Sequence, residues 1–400
     1  MKKIELLAPA GDLDRLKLAL LYGADAVYIG GKEMSLRSHA SNFTIEDIKE
    51  GVEFAHNLNK KVYITCNMVM HNEDKKNALN YLQELKKCKV DGIITSSLDL
   101  INLNNQFVGN EMHISTQLST LNTEAIKFYQ NYKVTRVVLG RECSLKEIKD
   151  ICANTPVEIE VFIHGGMCSS YSGKCMLSNV MTLRDANRGG CAHSCRWKYY
   201  LYEWKNRLNK KNEYFAMSSK DLCALKDIPK LIKAGVASLK IEGRMKSYNY
   251  LCAIISAYRK CIDDYYDNKK LNYKYYYDLM SYGENRVTGQ GFLHGEVTIN
   301  EQLFTLNEEF KNAGDFIGIV RSYDKELKIA NVEIKNKILS DCEYIKLSPR
   351  HKPKKFKIQK MYFENNEVNV FTVANKIVQI KTKEMFKPYD IIHAKREEKR

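Results

Sequence analysis

No stretch of this sequence comes near about twenty uninterrupted apolar residues, so no membrane-spanning helix is expected. The opening residues, MKKIELLAPAGDLDRL, start basic, but Glu5, Pro9 and Asp12 interrupt any apolar core. That makes a poor secretory signal, and a cytoplasmic location is expected. Two hydrolase signatures are missing: there is no H-E-x-x-H of zinc proteases and no G-x-S-x-G of serine hydrolases. Negative charge is also scarce. Against 63 Lys and Arg the chain carries 48 Asp and Glu, leaving +15 with histidine neutral. An excess of that size points to an anionic macromolecular partner, nucleic acid first. The plain alternative is a generally basic surface on a Lys- and Asn-rich chain.

What is present centres on EVFIHGGMCSSYSGKCMLSNVMTLRDANRGGCAHSCRW, from Glu160 to Trp197, which holds four of the twelve cysteines, Cys168, Cys175, Cys191 and Cys195. The segment begins as a strand, Val157 to Phe162, and breaks at His164-Gly165-Gly166. Beyond that it has no apolar period, the mark of a functional loop. Disulfides fit poorly in a chain without a secretory signal. Zinc sites favour two short C-x2-4-C pairs, and only Cys191-Ala-His-Ser-Cys195 obeys that spacing. The wider Cys168–Cys175 interval suits a loop around a larger cluster of iron and sulfide. Iron–sulfur, zinc and plain thiols all stay open at this level, in that order. Cys223, just before a helix expected over Ala224–Ala234, is a possible substitute ligand. The other cysteines sit in apolar or helical contexts, where buried thiols are the default.

The first two-thirds of the chain repeats one pattern: an apolar run, a small turn, an amphipathic segment. The runs are Ile4–Leu7, Ala26–Ile29, Val62–Thr65, Gly92–Thr95, Met112–Ser115, Arg136–Leu139, Val157–Phe162 and Ala237–Ile241. Amphipathic segments lie between most of them, at Leu13–Tyr22, Ile45–Leu58, Lys75–Lys87, Thr123–Tyr132 and Leu145–Ala153. Eight strands alternating with helices predict an α/β fold, a TIM-like (β/α)8 barrel over residues 1–300 with the cysteine-rich loop inserted at about 164–197. A doubly wound sheet is the runner-up, but no G-x-G-x-x-G follows the first strand. From Ser247 to Leu279 the pattern is helical and rich in tyrosine, read as a helix packing on the barrel in preference to an RNA-facing surface. After about residue 305 the period changes to two, which predicts a small antiparallel β-barrel domain over 305–392. Its basic stretch His351-Lys-Pro-Lys-Lys-Phe-Lys suits an RNA grip or a solvated face. Residues Lys395–Arg400 read as a frayed tail.

Barrel chemistry sits at the carboxyl ends of the strands. Those ends carry Asn67, Ser96 or Ser97, Thr116-Gln117, Arg141, His164 and Glu242-Gly243-Arg244. His164, Glu242 and Arg244 are the catalytic candidates; Asn67, Gln117 and Arg141 are candidates for substrate binding. Helix capping and local ion pairing are the bland readings of the same residues. In the loop, Tyr171 and Tyr199 have rings that stack on a base or pack in a core. Arg184, Arg188 and Arg196 offer forks for carboxylate or phosphate, or brace the loop against Asp185.

The pattern Glu160-x-Phe162-x-x-Gly165-x-x-Cys168-x4-Gly173-x-Cys175-x-Leu177-Ser178 resembles the signature of the collagenase-like peptidase family U32. That family usually has Ser or Ala where this chain has Gly166. The following RDANRGGCAHSCRWKY is similar to the branch of the family that hydroxylates tRNA. The resemblance extends to Ala8-Pro9-Ala10-Gly11 and Ile241-Glu242-Gly243-Arg244 and covers essentially the whole chain. It implies 5-hydroxyuridine formation at the tRNA wobble position, with a 4Fe–4S cluster on Cys168, Cys175, Cys191 and Cys195. It also implies dependence on prephenate, a dicarboxylate that the arginines Arg184, Arg188, Arg196 and Arg244 would anchor; Tyr171, Arg184, Asp185 and Arg196 are the loop's candidates for substrate binding. The partners implied are tRNA and, in some relatives, a paralogous protein subunit. The expectation is therefore an iron–sulfur-dependent RNA hydroxylase. The rivals are a peptidase, as the family label says, a small-molecule hydroxylase, and a non-catalytic RNA-binding or scaffold subunit with structural zinc.

Overall fold

The structure, a computed structural model, describes residues 3–35, 42–283, 286–303 and 314–395. Asn285, within the Gly-rich segment that precedes Phe292, and most of the C-terminal tail, 396–400, lie outside the described residues.

Eight parallel strands close a barrel: β1 (Glu5–Pro9), β2 (Ala26–Gly30), β3 (Lys61–Cys66), β4 (Gly92–Thr95), β5 (Met112–Ile114), β6 (Arg136–Val138), β7 (Glu158–Gly165) and β8 (Ser238–Ile241). Each pairs with the next, and β8 pairs with both β7 and β1, so the eight strands close on themselves. The strands are buried along almost their whole length, as expected of parallel strands covered by helices.

Helices α1 (Leu13–Tyr22), α2 (Ile45–Asn57), α3 (Lys75–Lys87), α4 (Leu98–Phe107), α5 (Thr123–Gln130) and α6 (Leu145–Ala153) follow the first six strands. Their starts are written in the sequence. Asp12, Ser97 and Asn122 accept from backbone N–H groups at the first turns of α1, α4 and α5, and Thr44 and Ser144 form capping boxes with Asp47 and Glu147. Helix α4 has no counterpart in the expected pattern. Its LNN run is a weak helix former, yet Leu100, Ile101 and Asn104 are buried, and Asn104 bonds both the N–H and the C=O of Asn110 at 2.9 Å. Tertiary contacts make that helix.

After β7 the chain leaves the barrel for the cysteine-rich loop, which contains the short helix α7 (Leu177–Thr182), and returns through α8 (Ile228–Ala234) to β8. The tyrosine-rich region is two helices, α9 (Tyr248–Tyr266) and α10 (Tyr273–Met280). Thirteen residues of α9 are buried against the barrel, and Tyr276 of α10 is buried with its hydroxyl 2.7 Å from Asp264. Those tyrosines are packing, which favours the first of the two readings of that segment.

The C-terminal region is a curled eight-stranded antiparallel sheet with its own core of Ile317, Val320, Val332, Phe356, Met361, Val378 and Ile392. It docks on the barrel. The Tyr22 hydroxyl donates to the carbonyls of Leu347 and Tyr389 at 2.8 and 3.0 Å, and Arg321 pairs with Asp14 at 2.7 Å. Three of the four lysines of HKPKKFK, Lys354, Lys355 and Lys357, stand on an edge strand, Lys354–Lys357, where charge blunts edge-to-edge pairing.

Candidate active site at the barrel mouth

A cavity of about 320 Å³ opens at the carboxyl ends of the barrel strands, roofed by the cysteine-rich loop. Its walls take Tyr28, Thr65, Asn67, Gln117, Arg141 and Phe162 from the barrel, and Glu242, Arg244 and Lys246 from the turn after β8. The loop supplies Cys168, Cys175, Cys191, Cys195 and Arg196 to the same cavity.

Glycines let these parts approach. A Cβ on Gly173, at φ +75°, would collide with the Gln117 carbonyl oxygen, so the loop lies directly on the turn after β5, Thr116–Leu118. Gly165, at φ +105°, would place a Cβ 2.7 Å from the Glu242 carbonyl oxygen, which draws the start of the loop onto the turn after β8. The loop is also tied down by Arg188, which bonds Asp74 and the carbonyl of Val69 at 2.7 and 2.6 Å.

The barrel interior beneath the cavity is charged. Arg136 on β6 reaches Glu5 at 2.6 Å, Glu158 at 2.7 Å and Glu160 at 3.3 Å, and Lys240 on β8 bonds Glu160 at 2.8 Å. Burial pushes the Glu160 carboxyl up, but Lys240 and Arg136 outweigh it and hold the group below the usual carboxylate range. Burial holds Lys240 below its ordinary value against the pull of Glu160. Lys240 lines the cavity while only 4% exposed, with its ammonium 4.4 Å from the Tyr28 ring centre. Sequence reasoning missed it. The signal was a lysine inside an otherwise apolar strand, Ser-Leu-Lys-Ile, since a buried strand keeps a charge only when the charge has a partner.

Asn67 donates to Gln117 Oε1 at 3.2 Å, and its own Oδ1 is buried without a hydrogen-bond partner among the described residues. Arg141 lies over the Phe162 ring at 4.0 Å. Arg244 donates to Ser35 and Thr65 at 2.9 and 3.0 Å. A Cβ on Gly30 would occupy the place of its guanidinium, and one on Gly11 would strike its carbonyl oxygen. The Ala8-Pro9-Ala10-Gly11 and Ile241-Glu242-Gly243-Arg244 motifs thus meet across the β1–β8 seam.

Other sequence candidates stand away from the cavity. His164 is buried, its Nδ1 3.2 Å from the Tyr258 hydroxyl on α9, and burial pushes it down to about 3. The cause is a register shift: Phe162 faces Lys240 and His164 faces Ile241, so Ile163 is an extra residue that breaks the in–out alternation. Tyr171 and Arg184 are exposed outside the cavity. Asp185 caps a short turn, accepting from the Asn187 N–H at 2.8 Å. Cys223 is buried on the far side, 3.8 Å from the Tyr258 hydroxyl. Burial pushes the thiols of Cys66, Cys143 and Cys261 up to about 12, in keeping with inert core cysteines.

All twelve cysteines are free. Among the described residues no three His, Cys, Asp or Glu side chains converge closely enough to hold a metal ion. The four loop thiols nevertheless share one neighbourhood. Cys168 is exposed at the surface, yet the protein packed around its thiol raises it; Cys175 and Cys195 add to the rise, and the Ser170 N–H and Arg141 oppose it. In kind and number this donor set fits an iron–sulfur cluster, and the cations around it fit an anionic thiolate centre.

Fold and site together define a (β/α)8-barrel protein with a cysteine-rich loop folded over a cation-lined mouth. The chain belongs to peptidase family U32: residues 11–303 match that family and residues 313–393 match its C-terminal domain. It is 44% identical over 343 residues to tRNA hydroxylation protein P1 of Bacillus subtilis, covering 84% of this chain and 81% of that one. It is 38% identical over 261 residues to the 23S rRNA 5-hydroxycytidine C2501 synthase of Escherichia coli, covering 65% and 39%. With a collagenase of Porphyromonas gingivalis it shares 35% identity over 275 residues, covering 65% and 66%.

Proposed function

We propose that this chain is an RNA hydroxylase that oxidises C5 of the wobble uridine of tRNA to 5-hydroxyuridine. The observation that carries the proposal is the gathering of four free cysteines and five basic side chains, Arg141, Arg196, Lys240, Arg244 and Lys246, around one cavity. Relatives named for tRNA and rRNA hydroxylation support it, and the tRNA relative matches a longer part of the chain, at higher identity, than the collagenase does.

Oxidising a pyrimidine C5 is beyond any unaided side chain. Cys168, Cys175, Cys191 and Cys195 would hold a 4Fe–4S cluster, which when bound supplies one-electron redox chemistry. The chain's own residues do the rest. The cavity volume suits a small-molecule site and admits a base taken out of its stack. The unpartnered Asn67 Oδ1 accepts from a uracil N3–H, with Gln117 fixing the amide. Phe162 and Tyr28 give the base apolar walls. Arg141 and Arg196 present forks to the carboxylates of prephenate as co-substrate. Surface lysines contact the RNA backbone. The exposed apolar edge of Val180, Met181 and Leu183 is the surface a paralogous subunit would cover.

The test is nucleoside analysis of tRNA from a deletion strain. Loss of 5-hydroxyuridine, restored by the native chain and not by Cys168→Ala, is the expected result. Unchanged 5-hydroxyuridine in a strain without this chain or any paralogue sinks the proposal.

A further inference from the structure

Immediately after the cysteine-rich loop the chain forms a small hairpin. Tyr202–Glu203 pairs antiparallel with Asn206–Arg207, and the Tyr199 and Phe215 backbones bond each other at 2.8 Å in both directions. The turn at its tip is Trp204-Lys205. Trp204 is 96% exposed and sits at φ +55°, a left-handed conformation that two-residue hairpin turns normally assign to Asn or Gly. Among the described residues nothing packs on this bulky apolar ring, which is held outward at a strained position.

The rest of the hairpin alternates rings and cations. The Arg207 guanidinium lies 3.8 Å over the Tyr200 ring, Tyr200 lies 5.2 Å from Tyr214, and Lys198 lies 5.0 Å over Tyr214. From Lys198 to Tyr214 there are five basic residues, Lys198, Lys205, Arg207, Lys210 and Lys211, against two acidic ones, Glu203 and Glu213. At its base the Tyr199 hydroxyl donates to the Ser194 carbonyl at 2.7 Å, and Ser194, Cys195 and Arg196 all line the cavity. Tyr199 is bridged to Phe215 and Tyr202–Glu203 is strand, and five residues of extended chain place the tip at most roughly 17 Å out from that anchor.

We infer that this hairpin is an RNA-stacking finger: Trp204 stacks on an unpaired base flanking the nucleotide in the cavity, while Lys205, Arg207, Lys210 and Lys211 meet its phosphates. Aromatic platforms interleaved with cations are how single strands are held without sequence readout. Charge decides for RNA over protein. Protein interfaces use Trp, Tyr and Arg but are depleted in Lys, whereas three of the four cations near this tip are lysines. The inference rests on the RNA reading above and adds the surface that holds the strand.

The chain's only two tryptophans, Trp197 and Trp204, both lie at this hairpin, so its intrinsic fluorescence reports on it directly. The full chain is titrated with a fluorescently labelled single-stranded oligouridylate and with a duplex of equal length, following tryptophan emission and, separately, anisotropy. The single strand should quench the emission. Trp204→Ala should lose most of the quench and bind about tenfold or more weakly, while Trp204→Phe keeps most of the affinity. Lys210→Ala with Lys211→Ala should make the salt dependence shallower without removing the quench. If Trp204→Ala binds the single strand as the native chain does, the finger is refuted and the RNA reading stands. If anisotropy detects no RNA binding by the native chain, the RNA reading fails and the finger with it. A Trp204-dependent emission shift that follows protein concentration and ignores RNA would assign the hairpin to a second copy of the chain and also overturn the finger.

Discussion

Lys240 Nζ lies 2.8 Å from Glu160 Oε1, an ion pair inside the barrel whose lysine also forms part of the cavity wall. Glu160 is fully buried, and without Lys240 its remaining ion-pair partner among the described residues is Arg136, at 3.3 Å. Lys240→Met should therefore cost about 3 kcal/mol in urea unfolding, and adding Glu160→Gln should recover part of it, because a single buried charge is worse than none. The carboxyl is held below its ordinary value, so its stabilisation is present above that value and is lost as pH falls through the folded one. Native-like stability of Lys240→Met would show that Arg136 alone compensates Glu160.

The cysteines divide by position. Cys168→Ala, Cys175→Ala, Cys191→Ala and Cys195→Ala should each lower iron and sulfide content after anaerobic purification, with a weaker absorbance shoulder near about 400 nm. Cys223→Ala should leave both unchanged, because that thiol is buried beside Tyr258 and is no part of the cavity wall. Zinc in place of iron would return the structural-metal reading.

Gly173→Ala tests the seat of the loop. The new Cβ meets the Gln117 carbonyl, and φ +75° is costly for alanine. Hydroxylation in complemented cells should fall at least tenfold, and limited proteolysis should cut the loop faster. The barrel's thermal transition should move little, since the clash lies at the mouth and not in the core.

His393 sits between Tyr282 and Phe316, at 5.2 and 6.0 Å, with both ring nitrogens buried and unpartnered among the described residues. Burial pushes it down from 6.5 to about 3. The unfolded chain takes up that proton below 6.5 and the folded chain does not. Stability is thus lost as pH falls from 6.5 toward 3, at about 1.4 kcal/mol per pH unit for this one group. His393→Phe should raise stability by about 1 kcal/mol at neutral pH and flatten the acid limb in urea titrations. An unchanged acid slope would remove His393 from the account.

Much of the fold was legible because parallel strands announce themselves as short apolar runs and capped helices by their Asp, Ser, Thr and Asn starts. All eight runs became barrel strands, seven with ends within a residue or two of those expected, while the run expected to stop at Phe162 continues to Gly165 through the expected break. Helix α4 was not legible, since Asn104 is helical only because its amide completes Asn110. The single helical pattern over Ser247–Leu279 became two helices because Asn272 caps a second start.

At the site, the sequence alone determined the chemistry available: four clustered cysteines, an excess of cations and polar strand ends. Only the tertiary structure decided who meets whom. Barrel closure puts Gly11 beside Arg244 and Lys240 beside Glu160, contacts between residues that no local period relates. One extra residue at Ile163 turned His164 away from the mouth and toward α9. Strand alternation is readable from sequence, but a bulge that resets its phase is fixed by the neighbouring strand and the core around it.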